Sequence, residues 1–423
     1  AADLPGVTHS REKLEQSLED FVASIALQDL PSSCVYTAIS SEEETLGYRC
    51  SCAFQIVGLD AGRGEGSRLE YCMRNDFRAV PLGVDKFPVA NARIREAMAG
   101  VISSLRAVSS ADRAAAPVNN LTSCKYISSW DQREVFLTLS YSAAVEGEEA
   151  QKEWREWAEA ARVELDITAI TARFRKGSLA VGKSPRVVVD TLDIPPHTVT
   201  YHKPEDAFTH PNPTTMMKAL RWILSRVAEV SSPSRKVNLL EMYCGCGAHT
   251  VPIAKCAGEA VDKVLCVEVD QRLVDFCMEN VRLNGLEDKV RVMKGDAGLV
   301  SKRLLRRRQQ QQQQQQGGGG GGGVTPLSSS NSPLDEVEAF DLLLVDPPRQ
   351  GLDSSVLKLA MSGEFSDMLY VSCGREALKR DLQVLCKDHF EVANLCVTDL
   401  FPRTDSVETL VHLRVGETKT TTA

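Results

Sequence analysis

The chain has 423 residues, 43% of them hydrophobic and 25% charged, with a formal net charge of −8 at pH 7. That length and composition suit two ordinary globular domains. With no run of roughly 18 apolar residues, a membrane-spanning helix is excluded, and the acidic balance leaves any nucleic-acid contact to a local basic face.

The 13 cysteines, an odd number, occur without a secretory signal and point to reduced thiols. The expected setting is therefore cytoplasmic, with nucleus or organelle as alternatives. The chain begins Ala1-Ala2-Asp3 without an initiator Met, which leaves a processed form or a fragment open. Cys50-x-Cys52 and Cys244-x-Cys246 are the tightest cysteine pairs. Neither has a CxxC partner or a nearby His at zinc-ligand spacing, so they read as buried thiols, and no metal is expected.

In chain order, residues 11–28 carry Leu14, Leu18, Phe21, Val22 and Ile25 at helical spacing. Strands are predicted at Tyr48–Val57 and Arg68–Arg74, a helix at Asn91–Leu105 and a strand at Val135–Ser142. A helix over 150–165 sets Trp154, Trp157, Ala158, Ala161 and Leu165 on one face, and strands follow at Ile167–Phe174 and Arg186–Thr191. Residues 1–205 thus read as an α+β domain.

From residue 206 the pattern alternates. Helices at 216–230, 248–257, 271–284, 353–362 and 374–388 interleave with strands at 237–242, 263–268, 289–294, 341–345, 367–372, 390–398 and 408–415. That order predicts an α/β, Rossmann-like parallel sheet over 206–423. Residues 302–338 interrupt it with Lys302-Arg303-Leu304-Leu305-Arg306-Arg307-Arg308, eight glutamines (309–316), seven glycines (317–323) and a Ser/Pro stretch. Such composition predicts a disordered surface insert with solvated basic flanks.

The apolar run Leu239-Leu240-Glu241-Met242 leads into Tyr243-Cys244-Gly245-Cys246-Gly247 and then Ala248. This is a strand, a glycine turn and a helix, where the backbone can approach a ligand closely. Glu268 ends the next strand, roughly 20 residues on, where a carboxylate can accept two ribose hydroxyls. A purely structural turn would explain two glycines, and NAD is a competitor. Thr250 occupies the spacing of the third dinucleotide glycine, however, so an adenosyl ligand such as S-adenosylmethionine fits better.

Three features follow at the carboxyl ends of later strands: Asp346-Pro347-Pro348-Arg349, Ser372-Cys373-Gly374, and Glu408 after Phe401-Pro402-Arg403-Thr404. The prolines stiffen a loop and leave Asp346 and carbonyls to meet a planar base. Cys373, at a strand-to-helix turn, is expected to gain thiolate character from the helix N-terminus. Methylating carbon 5 of a uracil needs a thiol to add at carbon 6, a methyl donor and a base. By itself Cys373 is one thiol among 13, and its placement after a strand beside Asp-Pro-Pro makes it a candidate; Glu408 by itself reads as a surface strand carboxylate.

These segments resemble the tRNA (uracil-5-)-methyltransferase family. The likeness is carried by Phe208-Thr209-His210-Pro211-Asn212, 240–247, 345–353, Tyr370-Val371-Ser372-Cys373 and 401–404, with weaker likeness at Tyr48-Arg49-x-x-x-Phe54 and Val84-Asp85-x-Phe87-Pro88. The resemblance implies Cys373 as nucleophile and Glu408 as proton acceptor. It places His210, Tyr243, Gly245, Gly247, Ala248, Glu268 and Asp346 at the S-adenosylmethionine site. It makes the first half an RNA-recognition region and the substrate a tRNA, at T-loop uridine 54; on oligomeric state the sequence is silent, and a monomer is the default expectation. The chain departs from the family pattern in several places. His210 stands where Gln is usual and Ala248 where Asn is common. Leu400 replaces a Gln, Ser51 an Arg, Gly374-Arg375 an Asn-Pro pair, and Asp405-Ser406 residues that often include His. Two rival readings remain. In one, Asp346-Pro347-Pro348 serves amino-group methylation with Cys373 inert; in the other, the chain is a non-catalytic tRNA-binding folding helper.

Overall fold

The computed structural model describes residues 13, 16–17, 19–20, 35–39, 46–59, 68–75, 78–83, 87–112, 114–232, 235–316, 333–337, 339–402, 404 and 406–416. The chain divides into two compact units, one of residues 1–42, 192–200 and 215–423, the other of residues 43–191 and 201–214. A single cut near residue 205 is therefore not what the structure shows. Strand β1 (Val35–Ile39) pairs in parallel with the late strand at 390–398, carrying the start of the chain into the C-terminal unit. An open sheet edge offers unpaired N–H and C=O groups to any strand, however distant in sequence. The helix expected over 11–28 lies mostly outside the described residues; Lys13, Gln16, Ser17, Glu19 and Asp20 are helical.

The unit of residues 43–191 and 201–214 contains β2 (Ser51–Leu59), β3 (Arg68–Asn75), β4 (Arg78–Leu82), α1 (Ala92–Ala111), β5 (Leu121–Ser128), β6 (Val135–Tyr141), α2 (Glu148–Glu164), β7 (Ala169–Phe174) and β8 (Gly177–Gly182). They build a seven-stranded sheet in the order β4-β3-β2-β5-β6-β7-β8. Neighbours are antiparallel except β6 and β7, which are parallel because α2 crosses between them. Asn91 caps α1: its side chain accepts from the Ile94 amide at 2.9 Å and donates to Ser128 Oγ at 2.6 Å. α2 buries Trp154, Ala158 and Ala161 as its spacing predicts, and the Trp154 indole donates to the Tyr141 hydroxyl at 2.9 Å. The ribbon β9 (Val187–Ile194) and β10 (His197–Pro204) follows.

The other unit continues with α3 (Pro213–Val230), β11 (Val237–Met242), α4 (Thr250–Cys256), β12 (Val261–Glu268), α5 (Gln271–Leu283), β13 (Val290–Lys294), α6 (Ala297–Gln316), β14 (Leu342–Val345), α7 (Ser354–Ala360), β15 (Asp367–Ser372), α8 (Arg375–Asp388), β16 (Phe390–Thr398) and β17 (Glu408–Val415). Its sheet runs β1-β16-β17-β15-β14-β11-β12-β13. Only β17 runs against its neighbours, β15 and β16. The chain winds outward from β11 to β13, then returns to the far side of β11 with β14. Strand order thus reverses between β11 and β14, and the crevice beyond their carboxyl ends is where such sheets place ligands. β14 and β15 are buried along their whole length, the mark of a sheet covered on both faces.

The expectation of disorder over 302–338 fails for its first part. Residues 302–316 continue helix α6. Leu304 is buried, Arg307 donates to the Leu334 and Val337 carbonyls, and Arg308 pairs with Glu364 at 2.8 Å. Those anchors, with glutamine's good helix propensity, outweigh the low-complexity composition. Residues 317–332 lie outside the described residues.

Candidate active site

All but one of the expected site residues fall in the α/β unit. Tyr243 leaves β11 at φ +66°, a left-handed conformation that is strained for a tyrosine. The turn is held by Cys244 N–H donating to Val267 O (3.1 Å) and Gly247 N–H to Cys244 O (2.8 Å). Gly247 has φ +85°, and a Cβ there would lie 2.9 Å from Cys277 Sγ, so no side chain fits. Gly245, by contrast, has open space where a Cβ would project, and half-buried Ala248 follows on the way into α4.

Glu268 closes β12 level with this turn. Its Oε1 accepts from the Val269 and Asp270 amides at 2.8 and 2.9 Å, and its Oε2 from Gly245 N–H at 3.0 Å. Three amides orient the carboxylate and occupy three of its roughly four lone-pair sites. The expected pair of ribose hydrogen bonds is thus trimmed: one free site remains on Oε2, and a second bond requires displacing the Gly245 amide. Tyr243 is half-buried and packs against the core, and Gly245 has open space above it, which leaves room for a ligand at the turn.

Asp346 follows β14, whose Val345 pairs with Met242 of β11 and Tyr370 of β15, so it stands level with Tyr243. The loop after it is pinned from below. Buried Asp381 accepts from Leu352 N–H (2.8 Å) and the Tyr370 hydroxyl (2.7 Å), and Arg380 donates to Gln350 O at 2.9 Å. Asp353 caps α7, accepting from Ser355 N–H at 2.6 Å.

Cys373 and Glu408 are brought together by the reversed strand. Ser372 of β15 pairs with Thr409 of β17. The ladder ends at that pair, so Cys373 leaves β15 beside the start of β17, close enough for the Glu408 charge to act on its thiol. Cys373 is exposed and Glu408 buried. At Gly374 a Cβ would lie 2.4 Å from the Arg349 carbonyl oxygen, so the absent side chain lets the Asp-Pro-Pro-Arg loop close onto the nucleophile turn.

The electrostatics overturn one expectation. Although Gly374 caps α8, the Cys373 thiol is pushed up rather than down. Although the residue is exposed, partial loss of water around its sulfur disfavours the thiolate most, and the Glu408 and Asp346 charges add to it; Arg349 opposes them by charge and hydrogen bond. Burial, then Asp346, pushes Glu408 up to about 8, against His249. Burial likewise raises Asp346, again opposed by His249.

Two contributors escaped the sequence reading. Glu241, fully buried in β11, accepts from Thr250 Oγ1, and His249 Nδ1 lies 3.7 Å from Glu241 Oε1. Burial works against charging His249, but the Glu241 contact and the Asp346 and Glu408 charges prevail and raise its pKa. A carboxylate inside an apolar strand was the available signal; nothing local named its partner. His210 belongs to the other unit, with its ring edge-on to exposed Phe208 at 5.2 Å and its carbonyl accepting from Cys50 Sγ. Arg403 and Asp405 lie outside the described residues, as do Val84 and Asp85.

Comparison with known proteins shows the family and the fold. The model of the tRNA (Uracil-5-)-methyltransferase family matches residues 29–319 and 325–415. The chain belongs to this family. A tRNA/tmRNA (uracil-C(5))-methyltransferase of Marinomonas sp. is 28% identical over 404 residues, covering 95% of this chain and 97% of the relative. One from Teredinibacter turnerae is 29% identical over 372 residues, covering 87% and 88%. Among solved structures, the Pyrococcus abyssi tRNA (uracil-54, C5)-methyltransferase in complex with S-adenosyl-L-homocysteine shares the fold. Its TM-score is 0.63 at 16% identity, over 96% of this chain and 83% of that one.

Proposed function

We propose that this protein transfers a methyl group from S-adenosylmethionine to carbon 5 of a uridine in tRNA, at T-loop position 54, with Cys373 as nucleophile and Glu408 as base. The observation that carries the reading is that β15 ends, at the Ser372–Thr409 pair, next to the start of β17, so that an exposed thiol and a buried carboxylate follow within electrostatic reach of one another. Family membership and the relatives' tRNA/tmRNA activity support the substrate class.

Tyr243, Gly245, Gly247, Ala248, Glu268 and Asp346 would hold the cofactor. When bound, the sulfonium supplies an electrophilic methyl group. The protein's own groups prepare the acceptor. Cys373 gives its thiol proton to solvent, its sulfur bonds to carbon 6, and the carbon 5–carbon 6 π electrons move onto the carbonyl as an enolate, making carbon 5 nucleophilic. After methylation Glu408 takes the carbon 5 proton, the sulfur–carbon 6 bond breaks, and the thiolate is restored. The raised value of Glu408 matches a base that must hold this proton and then release it. Unstacking the uridine costs a few kcal/mol. Repayment comes from basic side chains at the backbone: Arg175 and Lys176 at the β7–β8 turn, and Lys302, Arg303 and Arg306 on α6, all exposed. The residue 43–191 and 201–214 unit would recognise the RNA, and a cytoplasmic monomer suffices.

The test is incubation with 5-fluorouridine-substituted tRNA and cofactor, followed by a denaturing gel. Fluorine cannot leave as a cation, so the adduct is expected to persist as a shifted band that Cys373→Ala abolishes. Methyl transfer without any shifted band would favour amino-group chemistry, and tRNA binding without methyl transfer a folding helper; either overturns the proposal.

A further inference from the structure

We propose that Cys244, Cys266 and Cys277, beneath the cofactor turn, form a trigonal three-sulfur site for a soft monovalent cation of the Cu(I) class. The three come from the turn after β11, from β12 and from α5, and all are buried. Their sulfur atoms lie within 4.8 Å of one another, and Cys266 and Cys277 are 3.8 Å apart. A metal centred among three sulfurs at about 2.3 Å needs them roughly 4.0 Å apart, from triangle geometry. The pocket therefore already has nearly the required spacing. Among the described residues no fourth His, Cys, Asp or Glu joins the group. That disfavours tetrahedral zinc and favours an ion content with three soft ligands.

The surroundings support a built site. Gly247 passes over Cys277 Sγ with no room for a side chain, and Asn280 of α5 donates to the Cys246 carbonyl at 3.0 Å, tying the turn to the helix that carries Cys277. Binding forms three metal–sulfur bonds and releases the three thiol protons to solvent; no oxidation change is required. The ligands at 244, 266 and 277 follow no linear metal motif, which is why the sequence reads them as inert.

The full chain would be titrated with Cu(I) supplied as its coloured bicinchoninate complex, both in the native state and during refolding from urea, so that a closed entry path does not read as absence. One equivalent is expected to be withdrawn by either route. Cys266→Ala and Cys277→Ala should each abolish this, while Cys386→Ser should not. X-ray absorption of the loaded wild-type protein should show three sulfur neighbours at about 2.3 Å, a reading that stands even if a variant fails to fold. No withdrawal by either route, withdrawal unchanged in a folded Cys266→Ala protein, or nitrogen and oxygen neighbours would each overturn the assignment.

Discussion

Glu408 offers the sharpest test, because its role requires a charge that its surroundings resist. With its carboxyl held at about 8, the ionised fraction is about 9% at pH 7, half at pH 8 and about 91% at pH 9, by the ordinary titration relation. If it removes the carbon 5 proton, that step should speed up roughly 10-fold between pH 7 and pH 9. Release of tritium from tRNA labelled at uridine carbon 5, in a single turnover, reads the step directly. Glu408→Gln should accumulate the covalent complex and lose the pH dependence. Stability carries the opposite sign. The folded value lies above the ordinary 4.5, so the group's contribution is fully present below about pH 4.5 and is lost as pH rises through about 8. Between these limits the loss is about 1.4 kcal/mol per pH unit. Urea midpoints should therefore fall more steeply with pH in the wild type than in Glu408→Gln. A rate that stays flat from pH 6 to 9, or tritium release surviving in the Gln variant, would refute the assignment of Glu408 as base.

Three further outcomes follow from the same geometry. Since the Glu408 charge raises the Cys373 thiol, Glu408→Gln should be alkylated faster by iodoacetamide at pH 8 despite its lost turnover, whereas Arg349→Ala should react more slowly. Gly374→Ala puts a methyl 2.4 Å from a backbone carbonyl; a strain cost of about 1–3 kcal/mol, read by urea denaturation, should accompany loss of the 5-fluorouridine adduct. Asp381→Asn weakens acceptance from Leu352 N–H and the Tyr370 hydroxyl. It should cost about 1–3 kcal/mol in the same assay and lower methyl transfer by loosening the Asp-Pro-Pro loop without touching Cys373.

Much of the α/β unit was legible in the chain because its strands are short apolar runs between amphipathic helices, a pattern set locally by burial on both faces. The 237–242, 367–372, 390–398 and 408–415 strands fall at the expected bounds. The other unit was harder to read. β4, β5, β8 and β10 were not anticipated, since strands such as Leu121–Ser128 alternate weakly and owe their existence to neighbours already in the sheet. β1 and the helical Gln run failed for a related reason: one is recruited by a distant edge, and the other is anchored by Leu304, Arg307 and Arg308.

The residues of the site divide in the same way. Covalent order alone determined that a glycine turn follows β11, that Glu268 closes β12, and that Asp346 and Cys373 follow β14 and β15, because each position is set by where a strand ends. Only the tertiary structure decided that Glu408 comes within electrostatic reach of Cys373, that His249 sits among three carboxylates, and that the thiol is raised rather than lowered. Those outcomes depend on an antiparallel strand inserted between two parallel ones and on charges meeting in a space shielded from water. Field strength and desolvation act through space, and sequence separation carries no information about either.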